Sequence, residues 1–227
     1  MFLPLYDSNK IAHIAFPYVN YGLLIVTILV FTVQFAGGTA GLEQAHIEYG
    51  MIPVVVRDVV EGPAPWLPDQ ATLFSYMFLH ADLFHLLSNM LFLWVFGDNV
   101  EDALGHVKYL AFYLLCGVLA GVVHLFIYPD SYGPLVGASG AVAGVMGAYL
   151  VLYPRVRVFV LNRLVIFFPL ALPAWAVLGI WIFSQLFYAV LGSDGAVAWW
   201  AHIGGVAAGA ALVFLFRRLA PGPSIEG

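Results

Sequence analysis

The sequence predicts an all-α membrane protein, a bundle of six spanning helices, and three observations carry that expectation: its composition, its segmentation and the placing of its basic residues. Of 227 residues, 63% are hydrophobic and only 9% charged, where an ordinary soluble domain carries about 25% charged residues. A soluble fold of this size needs a charged shell that 8 basic and 13 acidic side chains do not supply. Lipid is the alternative solvent, and a helix that spans it needs about 20 mostly apolar residues. The mild net charge of -5 says little about partners, and no basic patch points to nucleic acid.

Six apolar segments run from Val19 to Ala36, Leu83 to Val100, Val107 to Ile127, Ala138 to Tyr153, Val165 to Leu191, and Val197 to Phe216. A Pro- and Gly-bearing stretch, Tyr128 to Gly137, separates the third from the fourth, and Pro154 closes the fourth. Between the first two lies a long loop holding Pro53, Pro63, Pro65 and Pro68. A loop of that length points to a structured element lying in the membrane interface. Residues 1–18 read as a short N-terminal segment and 217–227 as a short tail, so the chain is expected to be one domain. The first segment is long for a signal peptide, and Gly37-Gly38 is a poor cleavage site. Cys116, the single cysteine, sits mid-way along an apolar run and reads as a small buried thiol.

Lys10, Lys108, Arg155, Arg157, Arg163, Arg217 and Arg218 fall on one side if every segment spans, and Arg57 alone on the other. The excess of Lys and Arg on cytoplasmic loops then places both termini in the cytoplasm and the long loop outside. The expected location is a plasma or inner membrane.

Ionisable and polar groups inside a span are costly and point to function. With this topology segments two, four and six all enter from the outside. His85 and Asn89 lie in the first turns of segment two, Ser139 at the start of segment four, and His202 early in segment six. At 1.5 Å per residue all four lie within roughly 10 Å of the outer helix ends. Gly140 and Gly144 form one GxxxG pattern and Gly205 and Gly209 another. Such spacing lets helix backbones approach closely in lipid, which draws Ser139 towards His202. Segment four, at sixteen residues, spans about 24 Å, short of the hydrocarbon core. Its start is therefore expected below the surface, beside protein or water.

A serine hydroxyl becomes a nucleophile when a histidine takes its proton. An amide, an imidazole N–H or the backbone N–H at a helix start can hold a developing oxyanion. Ser139, His202, His85 and Asn89 supply these parts, and the acid nearest to His202 on its own segment, Asp194, lies about 12 Å away along a helix. A Ser-His dyad is expected, without an acidic third member. Lys10 and Lys108 lie at the wrong depth for a Ser-Lys pair, and paired intramembrane aspartates and the HExxH pattern are absent. His80 and His85, five residues apart, are expected on different helix faces and so form no metal site with His202. His13, His46, His106 and His124 read as packing or surface residues.

Gly137-Ala138-Ser139-Gly140 followed by Gly144 resembles the GxSGxxxG motif of the rhomboid proteases. Ala201-His202-Ile203-Gly204-Gly205 resembles the segment that carries their histidine. His85 to Asn89 resembles the HxxxN of their second helix, and Val100-Glu101 lies where that helix ends. The resemblance implies a six-helix rhomboid-like bundle whose long first loop is partly embedded. It implies Ser139 as nucleophile, His202 as general base, and His85, Asn89 and the Ser139 amide as the oxyanion hole. Gly137, Gly140, Gly144, Gly205 and Gly209 become helix-packing positions. Substrates would be single-pass membrane proteins cut in or near their membrane segment, with no cofactor and no metal. The runner-up is a non-proteolytic adaptor or quality-control protein on the same scaffold. In one respect the chain departs from the pattern: some bacterial members carry a tyrosine four residues after the serine, stacked on the histidine, and here Ala143 stands there. Another aromatic must hold the imidazole, or it is held less firmly.

Overall fold

The computed structural model describes residues 2–162, 165–192 and 197–219. The chain opens with strand β1 (Phe2–Asp7), followed by α1 (Tyr18–Ala36). The long loop then folds into α2 (Gly38–Tyr49), the one-turn α3 (Pro53–Val56) and α4 (Thr72–Ser75). After it come α5 (Leu83–Leu104), α6 (His106–Ile127) and α7 (Ser139–Leu152). Strands β2 (Arg157–Asn162) and β3 (Val165–Pro173) lead to α8 (Ala174–Leu191) and α9 (Trp199–Leu219). Helices α1, α5, α6, α8 and α9 are each long and apolar enough to cross a membrane, and α7 is a shorter apolar helix. The fold is an all-α bundle of apolar helices, and the chain is a multi-pass integral membrane protein.

The sequence leads to these elements for local reasons. On α1 the buried residues Asn20, Leu23, Leu24, Thr27, Phe31 and Gln34 recur at helical spacing, while Ile25, Leu29 and Val33 are exposed to lipid. Asp82 caps α5 by accepting from the His85 amide at 2.7 Å. Gly105, at φ 78°, ends that helix in a backbone conformation that favours glycine, and α6 begins at the next residue.

The fifth apolar segment differs from expectation. Only its last two thirds, Ala174–Leu191, is helix, because Pro169 and Pro173 cannot donate to an α-helical ladder. Residues Val165–Pro173 form β3 instead, which pairs antiparallel with β2, as β2 does with β1. The sheet order β1-β2-β3 ties the N-terminal segment to the connection between α7 and α8 at one end of the bundle. Arg163 and Asp194 lie outside the described residues, as do 220–227 of the tail.

Helix α7 is the axis of the bundle: every residue from Gly140 to Tyr149 is buried. Its glycines explain how. A Cβ on Gly205 of α9 would collide with the Gly140 carbonyl, and one on Gly209 with the Gly144 carbonyl. On the other flank a Cβ on Gly140 would lie 2.6 Å from the Ala120 methyl of α6, and one on Gly144 would strike Cys116. Backbone therefore lies against backbone on the α9 side and against small side chains on the α6 side. Cys116 is fully buried there, as a small residue between helices should be. At fourteen residues α7 is about 21 Å long, so its first residue opens below the ends of its longer neighbours.

Candidate active site

Ser139 is the first residue of α7 and follows Gly137, whose φ of 123° lets the chain turn sharply into the helix. The loop ahead of it is held by the long first loop. Met51 and Leu135 exchange backbone hydrogen bonds of 3.0 and 2.8 Å, and the Gly137 N–H donates to the Tyr76 carbonyl at 2.9 Å. His80, fully buried, accepts from the Ala138 N–H through Nε2 at 3.5 Å. Burial first, and then the neighbouring His85, push the His80 imidazole down to about 3, which keeps it neutral and able to accept. The long loop thus fixes the backbone on which Ser139 stands.

From α9, 7% exposed, His202 reaches Ser139: its Nε2 lies 2.8 Å from the Ser139 Oγ. The other ring nitrogen, Nδ1, lies 2.7 Å from Oε1 of Gln185 on α8. Two tryptophans flank the imidazole. Trp181 packs at a centroid distance of 5.8 Å with planes 32° apart, and Trp199 meets it edge-on at 6.2 Å. These take the place of the tyrosine missing at Ala143, which is fully buried where α7 meets α9; a Cβ on Gly205 would lie 3.2 Å from it.

His85 and Asn89 stand one turn apart on α5 and border the same cleft as Ser139 and His202. His85 Nδ1 accepts from the Ala81 N–H at 3.5 Å, which leaves the proton on Nε2 as a donor. A Cβ added to Gly137 would lie 2.8 Å from His85 Nε2 and 3.7 Å from Ser139 Oγ. The missing side chain leaves a space between them. Asn89 spends one amide hydrogen on the His85 carbonyl at 3.1 Å and keeps a second. The first N–H groups of α7 have no intrahelical acceptor.

The cleft encloses about 1050 Å³ and runs between α5, α7 and α8. Its polar rim holds Asp82, Ser88 and Asn89, and its deeper wall Phe92, Val142, Met146, Val177 and Trp181. A polar rim thus lies above an apolar floor.

All four predicted polar residues therefore come together. Of the predicted packing glycines, Gly140, Gly144, Gly205 and Gly209 lie at helix contacts, whereas Gly137 stands ahead of the helix and gives room to His85. His80 and His85 do not point apart as expected: His80 precedes the helix, so no helical rotation separates them, and their rings meet edge-to-face at 5.0 Å. Among the described residues no cluster of three His, Cys, Asp or Glu side chains could hold a metal ion. His13 and His106, read as packing or surface residues, pair with Asp102 and Glu101. Gln185 was missed because it lies on segment five, and the count of polar residues ran along segments two, four and six only. Its signal was a Ser-Gln pair inside an otherwise apolar span, at the depth of His202 when counted from the far end.

A polytopic helical membrane protein with a serine and a histidine in contact inside the bundle is the class that these observations define. The Rhomboid domain family model matches residues 68–219, and the chain belongs to the rhomboid family. It is similar to the human "Presenilin-associated rhomboid-like protein, mitochondrial", with 32% identity over 109 residues, 47% of this chain and 28% of that protein. It is also similar to "Rhomboid protein 1, mitochondrial" of Saccharomyces cerevisiae, with 30% identity over 48% of this chain and 32% of the relative. With "RHOMBOID-like protein 12, mitochondrial" of Arabidopsis thaliana it shares 31% over 61% of this chain and 44% of the relative. The matched stretch spans less than half the length of each of these relatives.

Proposed function

We propose that the chain is an intramembrane serine endopeptidase that cleaves single-pass membrane proteins in or near their membrane segment. The observation that carries this reading is the 2.8 Å contact between Ser139 Oγ and His202 Nε2, open to a cleft. In the reaction Ser139 Oγ attacks the scissile carbonyl carbon while His202 Nε2 takes the hydroxyl proton. The carbonyl oxygen gains the charge, and His85 Nε2–H, the second Asn89 amide hydrogen and the Ser139 N–H hold it. His202 returns its proton to the leaving nitrogen, the C–N bond breaks, and an acyl-serine remains. Water entering from the rim gives His202 a proton, attacks the ester and frees Ser139. No cofactor enters these steps.

The distribution of basic residues supports cytoplasmic termini and a site opening to the other face. A plasma membrane or an inner membrane, mitochondrial ones included as the relatives' names indicate, fits that orientation.

The test is cleavage of a single-pass substrate by purified protein in liposomes. Ser139→Ala and His202→Ala are each expected to abolish fragment formation while inserting and melting as the parent does. Undiminished cleavage by Ser139→Ala would overturn the reading. Substrate binding without fragments in the parent protein would favour the adaptor.

A further inference from the structure

A dyad histidine has two nitrogens, and the base function of one depends on what the other holds. For His202 that partner is Gln185, itself 5% exposed. The direction of the amide can be worked out from its surroundings. Gln185 Nε2 lies 3.4 Å from the Trp181 carbonyl and 3.0 Å from Ser184 Oγ. A carbonyl only accepts, so the NH2 end must face it. Ser184 already donates its own hydroxyl to that carbonyl at 2.6 Å, which leaves its lone pairs for the Gln185 amide. Oε1 therefore faces His202 and, as an acceptor, requires the proton on Nδ1. Nε2 is then left with a lone pair directed at the Ser139 hydroxyl. The bonds run in one sense from Ser139 through His202 and Gln185 to the backbone of α8.

Resting on the protease reading, we infer that Gln185 is a positioning residue of the catalytic apparatus, fixing the tautomer and orientation of His202 where serine hydrolases of the triad kind use a carboxylate. A polar amide in a lipid-spanning helix is costly unless it serves such a purpose. As a neutral group, Gln185 orients His202 without adding a full charge to stabilise the imidazolium. It also joins two tasks in one element. Helix α8 walls the cleft through Val177, Trp181 and Gln185, so one helix both lines the cleft and holds the base in register.

The bland alternative is that Gln185 only satisfies buried groups, and two substitutions separate the readings. Gln185→Met keeps the volume and removes the acceptor; Gln185→Glu keeps an acceptor oxygen and adds charge. Each is purified and melted. Each is assayed for kcat, KM and the pH dependence of kcat, and for labelling by a fluorophosphonate, in which Ser139 Oγ displaces fluoride at phosphorus. For Gln185→Met we expect kcat and labelling to fall together by about tenfold or more, as loss of base orientation requires, with KM and melting close to the parent. For Gln185→Glu we expect turnover well above Gln185→Met and an acidic limb of kcat displaced to higher pH, because a carboxylate favours the imidazolium. Parental turnover and labelling in Gln185→Met would overturn the inference and leave the protease reading intact. So would Gln185→Glu performing like Gln185→Met with an unmoved limb. Absence of labelling and of cleavage in the parent protein would overturn both. If Gln185→Met does not fold, the limb of Gln185→Glu decides alone.

Discussion

The two ends of α7 are built on opposite principles. At the Ser139 end the helix opens into a cleft, and the polar groups around it keep donors and lone pairs facing space: the second Asn89 hydrogen, the His85 Nε2–H, the first amides of the helix. At the other end most polar groups are paired, Asn99 Oδ1 being a buried exception. Tyr149 donates to Asp7 of β1, which also accepts from Asn99 Nδ2 and the Asn9 N–H, each at 3.1 Å. Asp102 accepts from the Ala12, His13 and Ile14 amides at 3.0, 2.7 and 2.8 Å. Glu101 caps the start of α1 through the Val19 and Asn20 amides at 3.0 and 2.7 Å and pairs with His106. Unmet hydrogen-bonding capacity inside a membrane protein costs stability, and it is also what a reacting carbonyl can use. The saturated end, with the glycine contacts between, holds the helix so that the unsaturated end can stay open.

The glycine contacts join the two ends, so the largest effect is expected there. A side chain on Gly209 meets the Gly144 backbone, which cannot rotate away as a side chain can. Gly209→Val should therefore cost more than about 3 kcal/mol, beyond ordinary overpacking, and prevent recovery of folded protein. Gly179 on α8 has nothing within 4 Å of a Cβ, and Gly179→Ala should leave the melting temperature unchanged or slightly higher. Melting both purified variants checks the pair. A well-folded Gly209→Val would mean that the helices are not held where these contacts place them.

The unsaturated end was legible in the sequence and the saturated end largely was not. Polar residues in apolar spans announce themselves, and a count of residues from the helix ends brings Ser139, His202, His85 and Asn89 to one depth. Gly140, Gly144, Gly205 and Gly209 were readable because four-residue spacing has one common meaning in lipid. The sheet was hidden: Val165 to Pro173 is as apolar as a span, and hydropathy alone does not weigh its two prolines. The roles of Asp7, Glu101 and Asp102 were hidden too: Glu101 and Asp102 bind backbone amides 81 to 90 residues distant, and Asp7 binds side chains 92 and 142 residues away, which no local pattern encodes. Gln185 fell between the two, polar in a span but near the end of segment five, which the count along segments two, four and six passed over.

Asn89 tests the claim that open donors serve chemistry more than stability. Its one described hydrogen bond goes to the His85 carbonyl, four residues back in the same helix. Losing that bond should cost no more than about 1 kcal/mol of stability. Losing an oxyanion donor typically costs on the order of 3 kcal/mol in the transition state, a hundredfold or more in turnover. For Asn89→Ala we expect kcat to fall by tenfold to about that limit, with KM and melting temperature little changed, since the Ser139 amide and His85 remain. Normal turnover in folded Asn89→Ala protein would remove it from the site.

The smallest effect is expected at Asp7, and it tests whether the two ends are as independent as their construction implies. Burial raises the Asp7 pKa above the ordinary carboxylate range, and the bonds from Tyr149, Asn9 and Asn99 oppose that rise without cancelling it. A carboxyl that holds its proton more tightly in the folded chain than in the unfolded one stabilises the fold most at low pH. Its contribution is lost as pH rises from about 4, the unfolded value, through the raised folded one, and is constant above. The melting temperature should therefore decline across that window. Asp7→Asn keeps an acceptor for the Tyr149 hydroxyl and cannot ionise, so its melting should decline less steeply. At the other end of α7, kcat and its pH dependence should be the same in Asp7→Asn as in the parent protein. A limb of kcat that moved with Asp7→Asn would show that the sheet end reports to the serine, and the helix would then transmit as well as hold.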